Sequence, residues 1–495
     1  MFKDIISRKN IFILFMAILL LPLLFINVKN SHDWGGDFAM YIMQARNIVN
    51  GISQTEIPYI YNPENAVVGP PAYFIGFPLI LSPVYAIFGN SIYAFTLCVS
   101  VFLFLVGLIM VMYLRQYFSN LIVFFLVLIV VYNPWTINMK MEIMSEFPFT
   151  FILLLLVYLF NKYPKKSLWL AMIVSVLMGF LISIRVIGIV FPIAVLLFTI
   201  YKIATGNRKK TISIYKYDLL IPFASILIFW LLNNLFFTVP QAKNGSYSDI
   251  WANGELFSTV LYNLGYYTEQ FKYFFSPWGG DWNFLQLILK AIIFTFTIVG
   301  MLKQFTKKLE LFDFIVVLYF GVLLTYPYHH SGIRFLFPIM PFLLIYLVKG
   351  LQSITIYESV NHTVKIVIMG SLVLVSYTTV LSHILRTQNQ IIVGPQENTA
   401  IDAFKFINEN TDANSVIMFA KPRVLALYTN RQSIADNNKS NTKETTKLIR
   451  KYDVDYILIQ NELSRDAIKK YVGKQKNIVK VYWSNNKFKL YKIID

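Results

Sequence analysis

Twelve long apolar runs fill the first 385 residues: 11–28, 72–89, 92–114, 120–136, 147–160, 168–184, 186–203, 218–239, 284–302, 311–327, 333–348 and 364–385. Roughly 20 mostly apolar residues are needed to cross the hydrocarbon core of a bilayer as a helix. A water-soluble globule could not bury so many. Composition agrees: 56% of the chain is hydrophobic and 14% is charged, against about 45–50% and about 25% in soluble domains. Disordered, collagen-like and disulfide-scaffold classes are excluded. The lone cysteine, Cys98, rules out an intrachain disulfide.

The 44 Lys and Arg outnumber the 26 Asp and Glu, for a net charge of +18. Much of that excess falls between the runs. Lys3, Arg8 and Lys9 precede the first run, and Lys162, Lys165 and Lys166 follow Phe160. Lys202, Arg208, Lys209 and Lys210 form a third cluster, and Lys303, Lys307 and Lys308 a fourth. The positive-inside rule places all four in the cytoplasm. Parity holds only if one early run does not cross. The run 72–89 is that one: Pro70 and Pro71 lead it, it contains Gly76, Pro78 and Pro83, and no positive charge follows it. It reads as a re-entrant or interfacial helix. The expectation is about eleven transmembrane helices, with the N-terminus cytoplasmic and the C-terminus outside. Segments 29–90, 137–146 and 240–283 then form the outer surface. No signal-peptide cleavage site follows Val28, so the first run reads as a retained span. The positive charge is an orientation signal, and no nucleic-acid partner is expected.

From about Arg386 the chain turns polar and charged. Short apolar strands at 415–419, 455–460, 478–483 and 488–493 alternate with helical stretches near 397–410, 441–452 and 463–472. This pattern predicts a small extracytoplasmic α/β domain over 386–495, after a membrane domain over 1–385. Its excess of Lys and Arg suits anionic headgroups or acidic glycans; a purely structural cap fits equally.

Chemistry is expected in the outer loops. The segment Ser31-His32-Asp33-Trp34-Gly35-Gly36-Asp37-Phe38-Ala39-Met40-Tyr41 holds two carboxylates four apart, directly after a span. Either can serve as a general base or metal ligand, or simply cap the helix that follows. Glu142 and Glu146 stand where another span begins, and Glu146 equally suits the helix dipole. Arg185 lies between two spans, a candidate for phosphate or for an ion pair with Glu146. Tyr328-His329-His330-Ser331-Gly332-Ile333-Arg334 is a polar knot between two more. One histidine there suits a site better than a His-His chelate, because adjacent side chains diverge. Arg334 could bind phosphate or snorkel to the interface. The 240–283 segment reads as a long aromatic-rich loop. No Walker A loop, GxGxxG, HExxH or GxSxG motif is present.

Together these pieces resemble the GT-C superfamily of integral-membrane glycosyltransferases, in its bacterial branch related to protein O-mannosyltransferases and lipid A aminoarabinose transferases. The resemblance runs from residue 1 to about 350. It rests on Asp37, Tyr41, Ala45-Arg46 and Gly51; on Pro70-Pro71 through Phe88-Gly89; on Ser145-Glu146; on Arg185; and on Arg334-Phe335-Leu336-Phe337-Pro338. The aminoarabinose branch has Glu-Lys before its proline, where this chain has Val68-Gly69, so that particular substrate is not implied.

The resemblance implies an all-α polytopic GT-C-like fold in a bacterial plasma membrane. It also implies an inverting transfer of sugar from a polyprenyl-phosphate donor to a glycolipid, glycan or protein acceptor. Nucleotide sugars are cytoplasmic, which likewise favours a lipid-carried donor at an outward-facing site. Asp37 would be the general base, with Glu146 assisting. Arg185 and Arg334 would hold the donor's phosphate, with Tyr41 and Arg46 beside them; Asp33, Glu142, His329 and His330, read from the outer loops themselves, are expected to complete the substrate site. Some members use a divalent metal ion; the sequence names no cofactor. Two other readings compete. A flippase for lipid-linked sugars predicts charges deep in spans and repeat symmetry. A polysaccharide polymerase predicts paired arginines in a large outer loop, and 240–283 has none.

Overall fold

The computed structural model describes residues 8–70, 72–206, 208–236, 255–275, 283–326, 332–353, 362–436, 442–475 and 479–494. Contacts divide the chain into two compact units. One comprises Met1–Val28, Leu97–Leu232 and Ser246–Gln388; the other comprises Lys29–Thr96, Asn233–Gly245 and Asn389–Asp495.

The first unit is helical. Among the described residues, three helices are long and apolar enough by themselves to cross a membrane: Ile92–Leu114, which begins in the other unit, Val186–Thr205, and Ile366–Thr387. Asn120–Val131 and Pro134–Glu142 pass the same test as a pair bent by 47°. The bend falls at Asn133-Pro134. Proline removes a helix donor there, and the Asn133 side chain accepts from Trp135 N while Pro134 starts the new helix. Shorter apolar helices include Asn10–Leu24, Leu168–Ile184, Ile221–Phe236, Leu311–Thr325 and Phe337–Leu351. Helices Asn283–Lys307 and Met340–Leu351 approach until Gly300 meets the Tyr346 carbonyl and Gly350 the Phe296 carbonyl. Any larger residue at either glycine would drive the backbones apart.

The aromatic segment expected to be a loop contains a 20-residue helix, Leu256–Phe275. Tyr267, Phe271 and Phe274 on it are buried. Asn263 Nδ2 donates to the carbonyls of Leu323 (3.2 Å), Leu324 (3.0 Å) and Tyr326 (2.8 Å). These groups lie at a helix end where carbonyls lack intrahelical partners. Tyr267, Phe271 and Phe274 are therefore helix-packing groups, while Tyr262 on the same helix stays exposed. Tyr247, Trp251, Trp278 and Trp282 lie outside the described residues.

The second unit is built on a six-stranded sheet of order β1-β3-β2-β4-β6-β5. The strands are β1 (Tyr59–Ile60), β2 (Val416–Met418), β3 (Gln432–Ile434), β4 (Tyr456–Gln460), β5 (Val479–Ser484) and β6 (Phe488–Ile493). β1, β3, β2 and β4 run parallel, and β6 and β5 form an antiparallel hairpin. β4 is buried throughout, as a parallel-sheet strand covered on both faces must be. Helices Asn398–Asn410, Thr442–Lys451 and Asp466–Lys474 match the periodicity of the tail. Pro422–Thr429, β1 and β3 are additions. The first outer loop thus lends a strand to the tail's sheet.

That loop is fastened to the tail at several points. Trp34 is buried against Phe404, Phe419 and Phe488, with ring centroids 6.0–6.3 Å away. His32 N donates to Gln396 Oε1 (2.9 Å), and Asn62 Nδ2 to the Ala435 carbonyl (3.0 Å). The run 72–89 yields a 13-residue helix, Gly76–Phe88, with Pro83 inside it. It is one of the shorter apolar helices, like Asn10–Leu24 and Leu311–Thr325 of the first unit.

Candidate active site

In the second unit, the helix Asp37–Asn50 starts at Asp37. Its N-cap is Gly36 and no side chain caps it, so neither Asp33 nor Asp37 plays the capping role the sequence left open. Asp33 points to solvent. Its carboxylate meets the His32 ring at 2.9 Å and accepts from Gly35 N at 2.9 Å. The His32 bond holds the Asp33 carboxyl below its usual range.

Asp37 faces a different environment. Its Oδ1 accepts from the Tyr73 hydroxyl (2.5 Å) and from Arg423 Nη1 (3.2 Å). Arg423 Nη1 also donates to the Tyr73 hydroxyl (2.9 Å), and Nη2 to the Pro70 carbonyl (2.5 Å). The guanidinium lies 5.0 Å from the Tyr59 ring centroid and 5.1 Å from that of Tyr73. Asp37 is 35% exposed and Arg423 1%. Burial pushes the Tyr73 hydroxyl above its usual range, so it stays protonated and donates. Both contacts fall on Oδ1, and among the described residues Oδ2 has no bonding partner.

The residues around this triad hold it rigid. Gln44 clamps the Tyr73 backbone, donating to its carbonyl (2.8 Å) and accepting from its N–H (3.0 Å). Tyr41 is buried, stacked on Tyr73 at 4.7 Å and edge-on to Phe77 at 4.8 Å. It reaches Asp37 through Tyr73. Arg46 is half-buried two turns along the same helix.

Arg423 was not singled out by sequence. It occupies the first turn of the helix Pro422–Thr429, just past the carboxyl end of β2, the end where open α/β sheets place their ligand sites. A cation in the first turn opposes the helix dipole. That mismatch, with Pro422 at the first helical position, is the local clue that the arginine serves something else.

In the first unit, Glu142, Glu146, Arg185 and Arg334 converge. Glu146 is 1% exposed. Its Oε1 lies 2.7 Å from Arg185 Nη1 and 3.2 Å from Arg334 Nε, while Arg334 Nη1 is 3.6 Å from Glu142 Oε2. Arg185 Nη1 also donates to Ser145 Oγ (3.1 Å). Both guanidinium groups lie over the Phe335 ring, at 5.3 and 6.0 Å. Two arginines thus face two glutamates, and the ion pair considered for Arg185 is present. Arg334 turns inward to the same acid, in place of snorkelling. The turn between the glutamates carries Ile143 at φ +46°, a region costly for a β-branched residue. Ile143 is fully buried, which offsets that cost and aims both acids at the arginines. His329 and His330 lie outside the described residues. Among the described residues no three His, Cys, Asp or Glu side chains gather to hold a metal ion.

With this geometry in view, comparisons place the chain. A comparison with curated proteins finds no match in sequence. The crystal structure of ArnT from Cupriavidus metallidurans bound to undecaprenyl phosphate aligns over 98% of both chains, with a TM-score of 0.57 at 10% identity. Its apo form gives 0.58 at 11%, again over 98% of both chains. The archaeal oligosaccharyltransferase AglB from Archaeoglobus fulgidus, in complex with an inhibitory peptide and a dolichol-phosphate, gives 0.55 at 12%. That match covers 91% of this chain and 69% of AglB. At such identities these matches show the fold, and it is the one the GT-C resemblance implies. In sequence, the family described as predicted membrane protein (DUF2079) matches residues 74–493, most of the chain. The chain therefore belongs to the DUF2079 family of predicted membrane proteins.

Proposed function

We propose that this protein is an inverting glycosyltransferase that moves a sugar from a polyprenyl-phosphate donor to an extracytoplasmic glycolipid, glycan or protein, with Asp37 as general base. The observation that carries the reading is the Asp37 carboxylate, with Oδ1 fixed by Tyr73 and Arg423 and Oδ2 without a partner among the described residues. A base must be held still and keep one lone pair for the proton it takes. The acceptor hydroxyl gives its proton to Oδ2 as its oxygen attacks the anomeric carbon. The bond from that carbon to the phosphate oxygen breaks, and polyprenyl phosphate leaves. Arg185 and Arg334 stabilise the negative charge that grows on the phosphate, and Glu146 keeps both guanidinium groups in place. The fold shared with ArnT bound to undecaprenyl phosphate and AglB bound to dolichol-phosphate supports a lipid-linked donor.

Some GT-C members use a divalent cation, but the donor set around Asp37 does not suit one. A guanidinium and a phenol already occupy Oδ1, and both are donors.

In this reading the chain lies in a bacterial plasma membrane with about eleven spans, the N-terminus cytoplasmic and the tail outside. The test is incubation of the purified full-length protein with a panel of undecaprenyl-phosphate monosaccharides and membrane extract, with products read by mass and anomeric configuration. Transfer with inverted configuration, lost in Asp37→Asn, is expected. Transfer with retention would overturn the single-displacement mechanism. Full activity of Asp37→Asn would remove Asp37 as base.

A further inference from the structure

We propose that Arg423, from the C-terminal tail, is the fixed cationic partner of Asp37 and does for that carboxylate what a divalent ion would otherwise do. It is a positioning residue, and the inference rests on the transferase reading above. The tail is then part of the catalytic apparatus, because the charge that orients the base comes from it.

Three observations converge. Arg423 is 1% exposed and its ion-pair partner is Asp37. A buried arginine is costly unless paired and hydrogen-bonded, so this placement is maintained against a penalty. The surrounding backbone is shaped for it. Gly69 sits at φ +94°, and a Cβ there would collide with the guanidinium; at Gly36 a Cβ would lie 3.3 Å from Arg423 Cδ. Finally, one nitrogen serves two acceptors: Nη1 reaches both Asp37 and the Tyr73 hydroxyl, while Nη2 is tied to the Pro70 carbonyl. The guanidinium plane is thereby fixed, and with it the direction in which Oδ2 points. A lysine has no such fork and could not hold both ends at once.

The experiment compares wild type, Arg423→Lys and Tyr73→Phe, all full length, with the undecaprenyl-phosphate sugar panel as donors. Tyr73→Phe removes one hydroxyl and keeps the ring, so its melting temperature should stay within about 2 °C of wild type. Both variants should lose about tenfold or more in kcat, with donor KM changed less than about threefold, the pattern of an interaction made in the transition state. Wild-type transfer should survive excess EDTA within about twofold.

Full kcat in Arg423→Lys and Tyr73→Phe would overturn the proposal, as would a rate abolished by EDTA and restored by Mn2+. A rise in KM with unchanged kcat would reassign Arg423 to substrate binding and also overturn it. A wild type that transfers sugar from none of the donors would overturn the transferase reading itself, and this inference with it. The two failures are therefore told apart by the wild-type arm.

Discussion

Replacing Asp37 by asparagine should destabilise the unit that holds it, and by more than replacing its partner. The asymmetry follows from exposure. Arg423 is 1% exposed and Asp37 35%. Asp37→Asn keeps the shape and an acceptor oxygen but strands a guanidinium whose Nε already lacks a partner among the described residues. What remains to it is the Tyr73 hydroxyl, the Pro70 carbonyl and two ring faces. At 3.2 Å and an effective dielectric of about 20, the attraction lost is about 5 kcal/mol gross. Asp37 is partly hydrated in the pair. The net loss should therefore fall between the exposed limit of about 0–1 kcal/mol and the buried limit of about 3–5 kcal/mol, at about 2–3 kcal/mol. In a unit of this size that is a fall of roughly 5–10 °C in melting temperature. Arg423→Met strands only a carboxylate that reaches water, and should cost about 1–2 kcal/mol, chiefly from the lost Pro70 hydrogen bond. The double variant should melt above Asp37→Asn alone, because no buried charge is left over. Trp34, buried in the same unit, provides a fluorescence probe for detergent-solubilised protein. Equal melting of Asp37→Asn and wild type, or a double variant lower by the sum of the singles, would refute the reasoning.

Other expectations follow from the same geometry. Gly69→Ala combines a left-handed backbone with a collision at Arg423; it should cost about 2 kcal/mol or more in melting experiments and depress transfer with it. Glu146→Gln leaves Arg185 and Arg334 facing each other, which should lower stability by about 3 kcal/mol. Added undecaprenyl phosphate should restore part of that loss by binding the folded state; no shift in melting would remove the phosphate-binding role of the two arginines. For topology, single cysteines in a Cys98→Ser background at Lys165 and Glu409 should respectively resist and accept an impermeant thiol reagent on intact cells, and labelling at Lys165 would overturn the proposed orientation.

How much was legible in the sequence depended on how far apart the partners lie. Apolar runs are local, so membrane residence could be read directly, and the proline-rich run 72–89 stood apart from the others by its own composition. The tail's alternation of strands and helices was legible for the same reason: a period of two or of 3.6 needs only neighbouring residues. The segment 256–275 was misread because tyrosines and polar residues interrupt its hydrophobicity. Its helix is stabilised by contacts such as Asn263 with the carbonyls of 323–326, some 60 residues away.

The sequence by itself determined the membrane class, a carboxylate at the head of the first outer helix, and the acids and arginines at 142, 146, 185 and 334 as separate candidates, with a pair between 146 and 185 among the alternatives. Only the tertiary structure decided how those charges are used. It turned Arg185 and Arg334 onto Glu146, seated Trp34 in the tail's core and drew β1 into the tail's sheet. It also brought Arg423 to Asp37 across 386 positions of chain. A buried charge must find its counter-charge wherever the fold can supply one, and the fold, unlike the local pattern, is not bound by distance along the chain.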